Sequence, residues 1–171
     1  MSEWVAAAAA LVGVVSSGVI AYLAYWLNRQ AQRNQAQKEI ADLYDKVLLF
    51  RTEHPALLRL CRLWTPDRFR AIYVQESTED QLWATYTAYV ELCISFCNAV
   101  LHGWKDHHMD RGAYEGRFKP LVKLLLTENY PLISGMLASG KYISAYIKEF
   151  VRELEEVEHW DWAKMHEELA S

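Results

Sequence analysis

Residues 4–27 read WVAAAAALVGVVSSGVIAYLAYWL, 24 residues without one charged side chain. At about 1.5 Å per residue, a helix of that length covers roughly 36 Å, enough to cross a hydrocarbon core of about 30 Å with some tilt. Trp4 marks one end of the run, and Tyr22, Tyr25 and Trp26 mark the other. Aromatic rings at both ends are the belt expected where side chains sit at headgroup level. A cleaved signal peptide is the competing reading, since the alanine run offers many small-residue cleavage sites. Two features oppose it. The residues before the run are Met-Ser-Glu, with no Lys or Arg, and the apolar stretch is longer than a normal signal core.

The flanking charges predict an orientation. All 18 Lys and Arg follow position 28, and Arg29, Arg33 and Lys38 come before the next acid, Glu39. Ahead of the span stands only Glu3. The positive-inside rule then puts the N-terminus outside and the remainder in the cytoplasm, as a single-pass protein of the cytoplasmic (inner) membrane. Three cysteines, an odd number, suit a reducing compartment. Within the span, Ala9, Gly13, Ser17 and Ala21 recur every four residues. Such a small-residue ridge lets two helix backbones approach closely in lipid, where packing rather than hydrophobicity drives association. The competing reading is chance spacing in an alanine-rich span.

Outward from the span, NRQAQRNQAQKEIADLYDKVLLFR continues without Pro or Gly. Ala, Gln, Arg, Lys and Glu favour helix, which predicts an unbroken helix to about Arg51. Residues 28–38 are polar all round, as befits a stalk leaving the headgroups. From Ile40 the apolar positions return with Leu43, Tyr44, Val47, Leu48 and Phe50, a face that packs on something. A parallel coiled coil is opposed by Asn34 and Gln37, which break its seam.

The remainder reads as helices. His54-Pro55 restarts the chain, and short helices are expected over 55–64 and from Thr65-Pro66 to about Val74, then a capping-box pattern at Thr78–Gln81. The helix over about 79–103 is the central one. It carries a stripe of Leu82, Tyr86, Tyr89, Cys93, Phe96 and Val100 beside a second of Trp83, Val90, Ile94, Cys97 and Leu101. A second span over 82–101 is the alternative, opposed by Glu91 and Asn98 in its middle and by Lys105 and Arg111 on its far side. Gly103 is expected to end this helix. A helix over about 110–129 follows, kinked or broken near Pro120. A turn at 129–131, a short helix to Ala138 and a final helix from Tyr142 to Leu169 complete the chain, with Ile143, Ile147, Phe150, Leu154 and Val157 as the last stripe. No alternating β-branched segment occurs, so no sheet is expected. The fold class is therefore all-α: a transmembrane helix over 1–27, a helical stalk over 28–53 and a cytoplasmic helical bundle over 54–171.

Candidate chemistry is thin. His102, Asp106, His107, His108 and Asp110 gather around one loop, but no helical zinc motif such as HExxH is present, and a solvated polar loop is the better reading. Glu156-x-x-His159 has the spacing of di-iron bundles, which need two such motifs and two further glutamates. Cys93 and Cys97 lie on one helix face as small hydrophobes. No phosphate loop and no nucleophile elbow occurs. A net charge of −4 argues against binding of nucleic acid through bulk charge. No cofactor, metal or small-molecule substrate is inferred. From Lys148 onward eight acids face three bases, a net charge of −5. Trp160 and Trp162 interrupt that stretch and are the candidate contact with a partner protein, because Trp is enriched at binding hot spots. The alternative is that both rings cap the core.

The layout resembles a broad bacterial class of single-span proteins with a cytoplasmic all-helical domain of unknown function. The span, the polar stalk, the run YVELCISFCNAVLHGW at 89–104 and the helical pair after it carry the resemblance. It rests on layout rather than on a motif, and it implies no activity, substrate or site residue. The expected function is that of a non-catalytic membrane-anchored accessory or scaffold protein, with the lipid bilayer and a membrane protein or a second copy as partners. A self-associating signalling or effector module is the alternative, and a metal-dependent enzyme a third.

Overall fold

A computed structural model describes residues 2–55, 80–139 and 143–170, with side chains from residue 13 onward in the first segment and from residue 84 in the second. The short helices expected over 55–74 and the capping box at 78–81 therefore lie outside the described residues, at least in large part. Every described element is helical: α1 (Ser2–Glu53), α2 (Asp80–Lys105), α3 (Arg111–Ala113), a π turn (Tyr114–Phe118), α4 (Lys119–Glu128), α5 (Tyr130–Ser139), α6 (Ala145–Val157) and α7 (Trp162–Ala170). Among the described residues there is no strand.

The core is built on α2, which packs against α1, α4 and α6. Tyr86, Tyr89, Val90, Cys93, Phe96, Cys97 and Val100 are all buried, as the two stripes predict. Each apolar side chain moved from water into such a core contributes about 1.5–3 kcal/mol. The second half of α1 joins this core, with Ile40 and Val47 buried. Tyr44 meets the ring of Phe96 at 5.8 Å, and Phe50 meets that of Tyr89 at 5.7 Å. The segment read as a stalk thus stands free only in its first part; from Ile40 it is a core helix.

Gly103 does not end α2, contrary to expectation. It is buried within the helix, its Cα side turned to Ile40 and Met109. The helix runs two residues further and closes in a Schellman motif. His107 N–H donates to Trp104 O at 3.1 Å and His108 N–H to Gly103 O at 2.8 Å, with His107 in the left-handed region at φ 57°. Trp104 then stacks on Tyr114 with ring centres 4.3 Å apart.

Near Pro120, where a kink or a break is expected, the chain instead stays helical and passes through a π turn with a local cause. Proline offers no N–H, so Gly116 O loses its α-helical donor. The chain widens by one residue into the π turn, where Lys119 N–H reaches Tyr114 O, and α4 begins with Pro120 in its first turn. Asp110 caps the whole segment, accepting from Ala113 N–H at 2.8 Å.

The final helix is two helices. α6 starts on Ser144, whose hydroxyl accepts from Ile147 N–H, and buries Ile147, Phe150, Val151 and Leu154. Val157, placed on that stripe by spacing, is 71% exposed because the helix ends there. His159 takes a left-handed φ of 52°, Trp160 N–H closes onto Leu154 O at 3.0 Å, and Asp161 caps α7 by accepting from Lys164 N–H at 3.1 Å.

Candidate functional site

Two regions hold most of the residues singled out from the sequence, and a third holds a polar cluster that the sequence does not mark. The first is the exposed part of α1. From residue 13 to residue 27 every side chain is exposed, although most are apolar. Val14 is 74% exposed, and Val19, Ile20, Leu23 and Leu27 also stand at half or more. Of the aromatic and basic belt, Tyr22, Tyr25, Trp26 and Arg29 are exposed and Arg33 is half-buried, while the side chain of Trp4 lies outside the described residues. Of the ridge, Gly13, Ser17 and Ala21 are exposed and the side chain of Ala9 lies outside the description. A methyl group added at Gly13 meets nothing of the described chain within 4 Å. The hydroxyls of Ser16 and Ser17 both donate to Gly13 O, at 3.2 and 2.7 Å, so the helix satisfies its own polar side chains.

The second region is the C-terminal pair of tryptophans, which the structure separates. Trp162 is 4% exposed and caps the core, its ring stacked toward Tyr130 with centroids 6.2 Å apart. It therefore offers no exposed ring to a partner, and the core-capping alternative holds for it. Trp160 is half-buried and lines a groove of about 600 Å³ between α4 and α7. Pro120, Leu124, Met165 and Leu169 supply the rest of its apolar lining.

Charge is organised along one wall of that groove. Glu158 accepts from Lys123 Nζ at 2.6 Å and lies 3.0 Å from Lys119 Nζ, while Lys119 also approaches Glu115 at 3.6 Å. The Lys123 ammonium sits 3.9 Å from the centre of the Trp160 ring. The hydrogen bond from Lys123, outweighing the opposing effect of burial and aided by Lys119, holds the Glu158 carboxyl below its ordinary range. Burial alone would lower the Lys119 ammonium, but Glu158 outweighs it and holds this group above its ordinary value. Behind the groove, the buried His166 ring donates from Nδ1 to Thr127 O at 3.0 Å and ties α7 to α4.

The third region is a polar knot inside the core that the linear pattern does not reveal. Arg51, near the end of α1, donates from Nη2 to both carboxylate oxygens of Glu128, at 2.9 and 3.1 Å. Glu128 is buried at the C-terminal end of α4, where the helix dipole disfavours an anion, and Arg51 is the cation set against it. Burial, followed by the neighbouring Cys93, pushes the Tyr89 hydroxyl well above its ordinary value. Cys97 is likewise pushed up by burial, which makes it an inert thiol.

The remaining candidates stay apart. His102 pairs with Asp106 at 3.2 Å on the surface, and His107 serves the turn. Glu156 and His159 are both exposed. Among the described residues no three His, Cys, Asp or Glu side chains come together as a metal site. Comparison of the chain with protein-family models, with curated proteins and with solved structures found no match to any of them.

Proposed function

We propose that this chain is a non-catalytic, membrane-anchored accessory protein, a subunit of or adaptor to a larger membrane complex. On this reading the helix over 4–27 spans the cytoplasmic membrane once, with its N-terminus outside and the helical domain in the cytoplasm. The observation that carries the reading is the contrast along α1. Its second half is covered by α2, whereas Val14 to Leu27 expose a run of large apolar side chains that no other described part of the chain covers. A soluble monomer rarely exposes a contiguous apolar patch of that size. Lipid supplies the missing cover, and the internally bonded hydroxyls of Ser16 and Ser17 suit an apolar surround. The open ridge of Gly13, Ser17 and Ala21 is the surface offered to a partner helix.

The same ridge also suits self-association, and one experiment separates the readings. Membranes of the native host are washed at high pH, extracted in mild detergent and resolved by size, and everything travelling with the chain is identified. The expected result is retention in washed membranes and migration with a larger defined complex. Release by the wash overturns the anchor. Migration as a monomer or small homo-oligomer overturns the accessory role and favours a self-associating signalling module. Replacing Gly13 and Ser17 by Leu is expected to dissociate the assembly; unchanged migration removes the ridge from the account.

A further inference from the structure

The groove between α4 and α7 is formed by two helical stripes. Pro120, Leu124 and Thr127 fall at i, i+4 and i+7 on α4, and Met165 and Leu169 at i and i+4 on α7. Leu124 is 38% exposed although Leu125 and Leu126 beside it are buried. The core therefore does not use this leucine, and Trp160 closes the floor next to it. Two stripes flanking an apolar cleft form the bed in which a third helix lays anchors of the same spacing.

The margins decide what kind of helix. Lys119 and Lys123 are both committed to Glu158, and Lys123 also to the Trp160 ring. Along the cleft Glu115, Glu158 and Glu168 outnumber those two lysines. An acidic occupant would meet repulsion here, and a basic one attraction. We propose that the groove is the docking site for a basic amphipathic helix of a partner protein, presenting apolar residues at i, i+4 and i+7 flanked by Lys or Arg. This deepens the accessory reading and rests on it for the partner being a protein. The two fail separately, since co-migration tests the first and direct peptide binding the second.

The test uses the full chain in nanodiscs of zwitterionic lipid. The probe is a labelled synthetic helix of about five turns, with Leu at the anchor spacing and Lys elsewhere. Binding is read by fluorescence anisotropy against empty nanodiscs. The expected result is saturable binding that weakens with salt, falls about tenfold or more in Leu124→Glu and in Met165→Glu, and is absent for the same peptide with Glu in place of Lys. Leu124 is exposed enough for the first variant to fold, and unchanged helicity by circular dichroism checks it. Glu115→Lys with Glu168→Lys, a reversal confined to the margin, is expected to weaken binding as well. No saturable binding, equal binding to empty nanodiscs, equal affinity in the Leu124 and Met165 variants, or equal affinity for the acidic peptide each overturns the proposal.

Discussion

Residues 13–27 of α1 and residues 84–105 of α2 are both long apolar stretches of helix, and they meet opposite surroundings. Among the described residues, Ala84–Lys105 is the helix long and apolar enough to cross a membrane by length and composition, yet half of it is buried in a core shared with α1, α4 and α6. Among the described residues the apolar stretch of α1 has no such neighbours, and it is exposed from residue 13 to residue 27. Apolar content alone therefore does not separate a covered helix from an uncovered one. What separates them is whether the rest of the chain provides faces to cover the stretch. Pairwise substitutions turn this contrast into numbers.

The largest effect is expected in α2. Phe96 is fully buried, so Phe96→Ala should cost the helical domain about 3–5 kcal/mol in denaturant unfolding. Val19→Ala, on the exposed stretch, should leave the unfolding of that domain unchanged within about 0.5 kcal/mol. Equal losses would break the contrast and make residues 13–27 part of the same cooperative unit.

Next in size is the knot that joins α1 to the core. Arg51→Ala leaves the buried Glu128 carboxylate without its cation and should cost about 3 kcal/mol. Replacing both partners, Arg51→Met with Glu128→Leu, should recover most of that loss. If the single variant is silent, the second half of α1 is held by its apolar face alone.

His107→Gly removes the cost of a left-handed φ on a residue with a Cβ, at an exposed turn where glycine is the usual occupant. The variant should stabilise by about 1 kcal/mol, measured as a higher unfolding midpoint.

The smallest effect belongs to the groove wall. The Glu158 carboxyl is held below its ordinary 4.5, so its contribution is complete above that pH and lost as pH falls through its lowered value. Lys119 is held above its ordinary 10.5, so its contribution is complete below that pH and lost as pH rises beyond it. Both groups are partly solvated, and the expected change is below about 1 kcal/mol at either end. Comparing Glu158→Gln with the unaltered chain across pH isolates the acid limb; an identical pH dependence removes Glu158 as its source.

Much of the helical layout was legible because it is periodic. The stripes of α2, the return of apolar positions at Ile40 and the trouble at Pro120 all follow from spacing and from one missing N–H. The ends of α2 and α6 were not, because each closes on a left-handed histidine rather than a glycine or proline. Asp161 was the one local hint of a new helix start. The Arg51–Glu128 pair joins residues 77 positions apart, and no linear pattern encodes it. Of the two tryptophans that the sequence singles out, Trp160 lines the α4–α7 groove and Trp162 is drawn into the core, and Leu124 could not be told from its buried neighbours until α7 lay beside α4.

Because α1 runs from the exposed stretch into the core without a break, it acts as a ruler and a dial at once. From Leu27 to Ile40 the rise is about 20 Å, which fixes the standoff of the domain. From Gly13 to Ile40 the helix makes about seven and a half turns, so the small-residue ridge and the core-facing side point roughly opposite ways. A neighbour gripping the ridge would thereby set the compass bearing of the α4–α7 groove. Deleting one residue between 28 and 32, where every side chain is exposed, would swing that bearing by about 100° while leaving the packed part of the domain in place.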